Sequence, residues 1–303
     1  MVLAGAGRDH PVGGAGAGAL MCVNRSIASD VLSGSRLAQV ISYLSLIYGI
    51  MPAVAPVAGG YLQNYFGWRS IFIFMIFYAA LAMIIIWIVL PETNKRLNIH
   101  ATKPKHMLKN YATLLSSRIF ISNAISTCAA FSGILAYYTM TPFLFQNTLH
   151  ITTIQFGWLT VIVAVSLFLG KGINILLVAR LRLPAVLLLG NTIMFLAAVL
   201  MLLFAVSGIM TISAVLIPMM IFVAGTGLVM ANAFAGAIKP FKEMAGAASS
   251  LYSCLQMLAT FIVSYIAARL HEHNQIPLAL LLTVLALLPL VSYWVLHKRT
   301  HRC

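Results

Sequence analysis

Apolar runs of about twenty residues alternate with short polar segments along most of this chain. The runs fall near 38–62, 71–90, 119–145, 155–179, 184–206, 211–234, 246–269 and 277–296. Each is close to the ~20 residues that a helix needs to cross the hydrocarbon core of a bilayer. A shorter run at 12–24 is glycine-rich and too short to cross alone. The pattern predicts an all-α, polytopic membrane helix bundle of about nine helices, with a lipid bilayer as its first partner.

Composition agrees. The chain of 303 residues is 61% hydrophobic and only 8% charged, far too apolar for a soluble domain. Its net charge is +14. The basic residues stand in short groups between apolar runs, without the aromatic interleaving of a nucleic-acid surface, so no nucleic acid is expected. Their placement sets orientation instead. One set of loops carries Arg25, Arg36, Lys95, Arg96, Lys103, Lys105, Lys109, Arg118, Arg180, Arg182, Lys239, Lys242, Lys298, Arg299 and Arg302. The opposite set carries Arg8, Arg69 and Arg269. This asymmetry places the C-terminus in the cytoplasm and the N-terminus outside. Residues 1–10 do not read as a secretory signal.

The most unusual segment holds Gly49, Pro52, Pro56, Gly59 and Gly60 inside one apolar run. Each proline removes an intrahelical donor and bends the helix. In lipid such a defect is tolerated where a neighbouring helix covers the backbone. Small residues permit that close approach. The reading is a bent helix pressed on a partner, with Gly59 as the contact that a larger residue would break.

That spacing resembles the fifth-helix signature Gly-x-x-x-Gly-Pro-x-x-Gly-Gly of drug:proton antiporters in the major facilitator superfamily. Ala55 stands where the signature has its second glycine. From about residue 13 onward the chain is similar to the bicyclomycin-resistance (Bcr/CflA) group. The resemblance is carried by Gly13 to Asp30, the bent helix, Phe66-Gly67-Trp68-Arg69 and Leu90-Pro91-Glu92-Thr93. It continues through Phe156-Gly157, Ala179-Arg180-Leu181, Ala231-Asn232-Ala233 and Gly246 to Ser250.

The resemblance implies helices 4–12 of a twelve-helix facilitator fold. It divides the chain into a truncated N-terminal half at 1–90, a central cytoplasmic loop at 91–118 and a six-helix C-terminal half at 119–303. It implies a multidrug efflux transporter of the bacterial inner membrane that exports small lipophilic drugs in exchange for protons, not an enzyme. The alternatives are a non-transporting remnant, or one part of a split transporter whose helices 1–3 lie on a separate chain.

Candidate residues follow from the cost of polar groups in lipid. The five acids, Asp9, Asp30, Glu92, Glu243 and Glu272, all sit at predicted ends or loops. Lys171 lies within a span, roughly 13 Å of helical rise from Arg180. That is far for a lysine stem to snorkel, so either cavity lining or snorkelling is open. Tyr137 and Tyr138, with Phe143 and Phe145, are candidate ligand contacts or packing groups. Asn232 and Gln256 are candidate cavity amides, or interhelical bonding groups together with Asn123 and Asn174. Arg25 is a charge at the end of the short helix. No cofactor is expected, and the loop and terminal histidines and four scattered cysteines offer no metal-ligand spacing. The glycines at 13–18 lack the Lys-Ser/Thr of a phosphate loop.

Overall fold

The computed structural model describes Met51 and residues 54–89, 104–270 and 274–297. Among these residues the chain is all helical. Residues 54–66 form α1, followed by α2 (Arg69–Val89) and α3 (Pro104–Ser116). Then come α4 (Arg118–Phe143), α5 (Thr153–Val178), α6 (Leu183–Val206), α7 (Ile212–Ile238), α8 (Ala245–Arg269) and α9 (Ile276–His297). Seven of the helical stretches are long and apolar enough to cross a membrane.

Local chemistry sets the boundaries. Thr152 and Gln155 form a reciprocal capping box that starts α5, the hydroxyl accepting from the Gln155 amide and the Gln155 side chain from the Thr152 amide. The Thr211 hydroxyl accepts from the Ala214 amide and starts α7. Pro184 lies in the first turn of α6, where its missing donor costs nothing. One stretch was misread from sequence. Residues 104–116, inside the expected loop, form α3, because the spacing of Tyr111 and Leu114 gives an apolar stripe that packs on α4 and α8.

The described residues fall into two compact units. One holds α2, whose apolar side chains are exposed along nearly the whole helix. The other holds α1 together with α3 to α9. In the second unit α4 packs on α7, α8 and α9, and α7 packs on α4, α5 and α6. The α6 and α9 helices also touch. Exchanging α4–α5–α6 for α7–α8–α9 leaves this list of contacts unchanged, which is the signature of two three-helix repeats about a twofold axis.

The core lies between these helices. Ile134, Tyr137, Met140, Phe145, Met194, Met201, Met219, Phe222, Leu278 and Leu282 form one buried cluster. A second lies where α3 meets α4 and α8, with Leu114, Phe120, Ala124 and Tyr252 at its centre. Apolar transfer does not drive helices together in lipid, so close packing must supply the attraction. It does so at α5 and α7, where a methyl group added at Gly170 would lie 2.2 Å from the Ala224 carbonyl oxygen. One added at Gly227 would lie 2.8 Å from the Gly170 carbonyl carbon. Backbone meets backbone there, and no side chain larger than hydrogen fits.

Candidate functional site

Pro56 and Gly60 of α1 meet the N-terminal turns of α5. A methyl group added at Gly60 would lie 3.0 Å from the Thr153 carbonyl oxygen. One added at Gly157 would lie 3.0 Å from the Pro56 carbonyl oxygen and 3.1 Å from the Val57 Cα. The two helices run antiparallel at this seam, since Gly60 faces Thr153 while Pro56 faces Gly157. The close approach expected of the segment is present, but the contact glycine is Gly60. A methyl group at Gly59 would meet nothing within 4 Å. Helical geometry explains the correction, because successive residues are about 100° apart and only one of an adjacent pair can face a given neighbour. Gly49, Pro52 and Arg25 lie outside the described residues.

Lys171 stands further along α5. Eighteen residues, five helical turns, separate it from Thr153, so both lie on one face. Its side chain is exposed, with the ammonium 5.8 Å from the centre of the Phe168 ring. That distance is within the range of a cation–π attraction. One turn on, Asn174 Oδ1 accepts a 2.6 Å hydrogen bond from Asn232 Nδ2 of α7. Asn232 Nδ2 also donates to the Leu228 carbonyl at 2.7 Å. Both bonds use donors of Asn232, so Asn174 must present its oxygen to α7.

The other candidates separate. Tyr137 is fully buried in the core of the α4–α9 bundle, and its hydroxyl has no hydrogen-bond partner there. Of the two roles open to Tyr137, ligand contact or packing, this burial fits packing. Its neighbour Tyr138, edge-on at 5.6 Å between ring centres, is only partly buried and keeps accessible surface. Phe145 is likewise sealed in the core, against Phe156, while Phe143 is exposed. Gln256 is half-buried on α8, and its carbonyl accepts from the Thr260 hydroxyl. That hydroxyl in turn lies 3.3 Å from Ser132 Oγ of α4. Asn174 and Asn232 come together, Lys171 stands one turn before Asn174 on α5, and Tyr138 and Gln256 do not join them through any described contact.

Two further polar contacts were missed in the sequence. Asn191 Nδ2 of α6 donates to Ser126 Oγ of α4 at 3.2 Å, and the Thr127 and Tyr252 hydroxyls bond to each other. An amide at position 191, in the middle of an apolar run, was the available signal. Among the described residues no group of three or more His, Cys, Asp or Glu side chains is placed to hold a metal ion.

The sequence model of the Major Facilitator Superfamily matches residues 11–264. The bicyclomycin resistance protein homolog of Haemophilus influenzae is 22% identical over 90% of this chain and 69% of its own length. Multidrug resistance protein D of Escherichia coli is 25% identical over 93% of this chain and 69% of its own. Multidrug resistance protein MdtL of Klebsiella pneumoniae is 27% identical over 84% of this chain and 63% of its own. The likeness to all three thus covers most of this chain and about two thirds of theirs.

Proposed function

This chain belongs to the Major Facilitator Superfamily, and on that premise we propose that it exports small lipophilic drugs across the bacterial inner membrane in exchange for protons. The observation that carries the reading is the seat of the Pro56–Gly60 segment on Gly157 of α5. Two backbones in contact at the N-terminal turns of α5 close one end of the helix pair. Alternating access requires such a closure on one membrane face at a time, about a site near the midplane. The names of the bicyclomycin-resistance and multidrug-resistance relatives support drugs as the cargo.

In this reading residues 1–90 belong to one half, 91–118 join the halves, and 119–303 form the other half. The C-terminus faces the cytoplasm, because Arg180, Arg182, Lys239 and the terminal basic residues lie on that side.

No carboxylate lies in a described membrane-spanning helix, which favours a second reading. Proton coupling uses an embedded group that titrates. That group would then lie outside the described helices, as it would if a partner membrane chain supplied it. One assay covers both readings. Everted membrane vesicles holding this chain are energised, and release of the proton gradient on drug addition is followed. Drug-dependent release by this chain alone supports the first reading. Release only when a membrane protein encoded just upstream is co-expressed supports the second. No release in either preparation sinks drug:proton exchange.

A further inference from the structure

We propose that Lys171 and Asn174 form a binding site for an anionic group, a carboxylate or a phosphate, so that this protein takes acidic amphiphiles rather than lipophilic cations. Three observations converge on that chemistry. Lys171 is a charged residue well inside an apolar helix, seven residues or ~10 Å before α5 ends, and it is exposed. A charge kept at such a depth calls for a partner. The described membrane-spanning helices contain no Asp or Glu that could be that partner.

The second observation concerns Asn174. Its Oδ1 is occupied by Asn232, and its Nδ2 makes no hydrogen bond among the described residues. Residues three apart on a helix are neighbours on its surface. This stretch of α5 therefore carries an ammonium and an amide NH2 at positions one turn apart, donors only. An anion with two acceptor oxygens matches that set, whereas a cation or a bare acceptor-poor ring does not.

The third observation is position. Lys171 shares the face of α5 that carries Thr153 and, four turns away, the Gly157 contact with α1. Lys171 thus lies on the side of α5 that its N-terminal turns present to α1. The aromatic ring of Phe168 beside the ammonium adds an apolar surface for the body of the ligand. The role of the site in transport rests on the export reading above; the binding of an anion does not.

The test is equilibrium binding to the purified full chain in detergent, with naphthalene-1-carboxylate, naphthalene-1-carboxamide and 1-naphthylmethylammonium as probes. The unaltered protein is expected to prefer the carboxylate to both others. Lys171→Gln should weaken carboxylate binding tenfold or more and leave the amide unchanged, Lys171→Arg should retain it, and Asn174→Leu should weaken it less. Melting curves of each variant confirm that it is folded. Phosphatidylglycerol titrated into the same micelles distinguishes the source of the anion. If it raises the melting temperature through Lys171 while the carboxylate does not bind, the site holds a lipid headgroup. Equal carboxylate affinity in the unaltered protein and Lys171→Gln, with no lipid effect through Lys171, overturns the proposal. Intact carboxylate binding without proton-driven extrusion in everted vesicles would count against the export reading alone.

Discussion

Asn232 holds α7 to α5 with one side chain, donating both to Asn174 and to its own helix at Leu228. Interhelical polar contacts in membranes contribute ~0.6 kcal/mol on average and up to ~1.7 kcal/mol. Asn232→Leu is expected to destabilise the purified chain by about 1 kcal/mol and to free the Asn174 amide to rotate. Thermal unfolding in detergent measures the first effect, and an unchanged midpoint would remove the structural weight given to the pair. Interhelical bonding of mid-span amides was legible from their cost in lipid for Asn174 and Asn232, whereas Asn123 bonds to Ile119 of its own helix. Which amide meets which was not legible. Asn191 finds Ser126 only because α6 and α4 flank the same partner, α7, a fact of topology rather than of local pattern. Sequence alone left Tyr137 open between ligand contact and packing, and the three neighbours of α4 enclose it.

At the scale of elements, the closest helix approaches are set by glycine rather than by periodicity. Gly60→Leu and Gly157→Leu each force a side chain into backbone and are expected to separate α1 from α5. Overpacking of this kind costs about 1–3 kcal/mol. Gly59→Leu, with open space around it, should be tolerated. Protease resistance of the membrane-inserted protein distinguishes them, and equal sensitivity of Gly59→Leu and Gly60→Leu would refute the seam. The close-packed segment was visible in the sequence because prolines and glycines at that spacing need a covering neighbour. The face it presents was not, since a bend displaces the helical phase. The spans from α4 to α9 were legible to within a few residues from their apolar length. The α3 helix was not, because polar residues interrupt it too often for a spanning run and only the stripe through Tyr111 and Leu114 marks it.

For the molecule as a whole, the alternation of basic loops is the ground for the proposed orientation. The α5–α6 turn carries Arg180 and Arg182, and the α6–α7 turn carries no charge. With the native cysteines replaced by serine, Ser207→Cys should react with a membrane-impermeant maleimide in intact spheroplasts. Leu181→Cys should react only in everted vesicles. The reverse pattern would invert the topology.

The exchange of contacts between α4–α6 and α7–α9 also bears on how the protein is made. The principal partners of α4 are α7, α8 and α9, not the helices that follow it directly. At about 5–20 residues per second of synthesis, the 68 residues between Phe143 and Ile212 take roughly 3–14 s to appear. Throughout that interval Asn123, Thr127 and Ser132 of α4 are without the α7 and α8 neighbours that bury them. A ribosome paused before α7 therefore exposes a polar stripe at membrane depth, so birth of this bundle depends on whatever shelters α4 while its partners are translated.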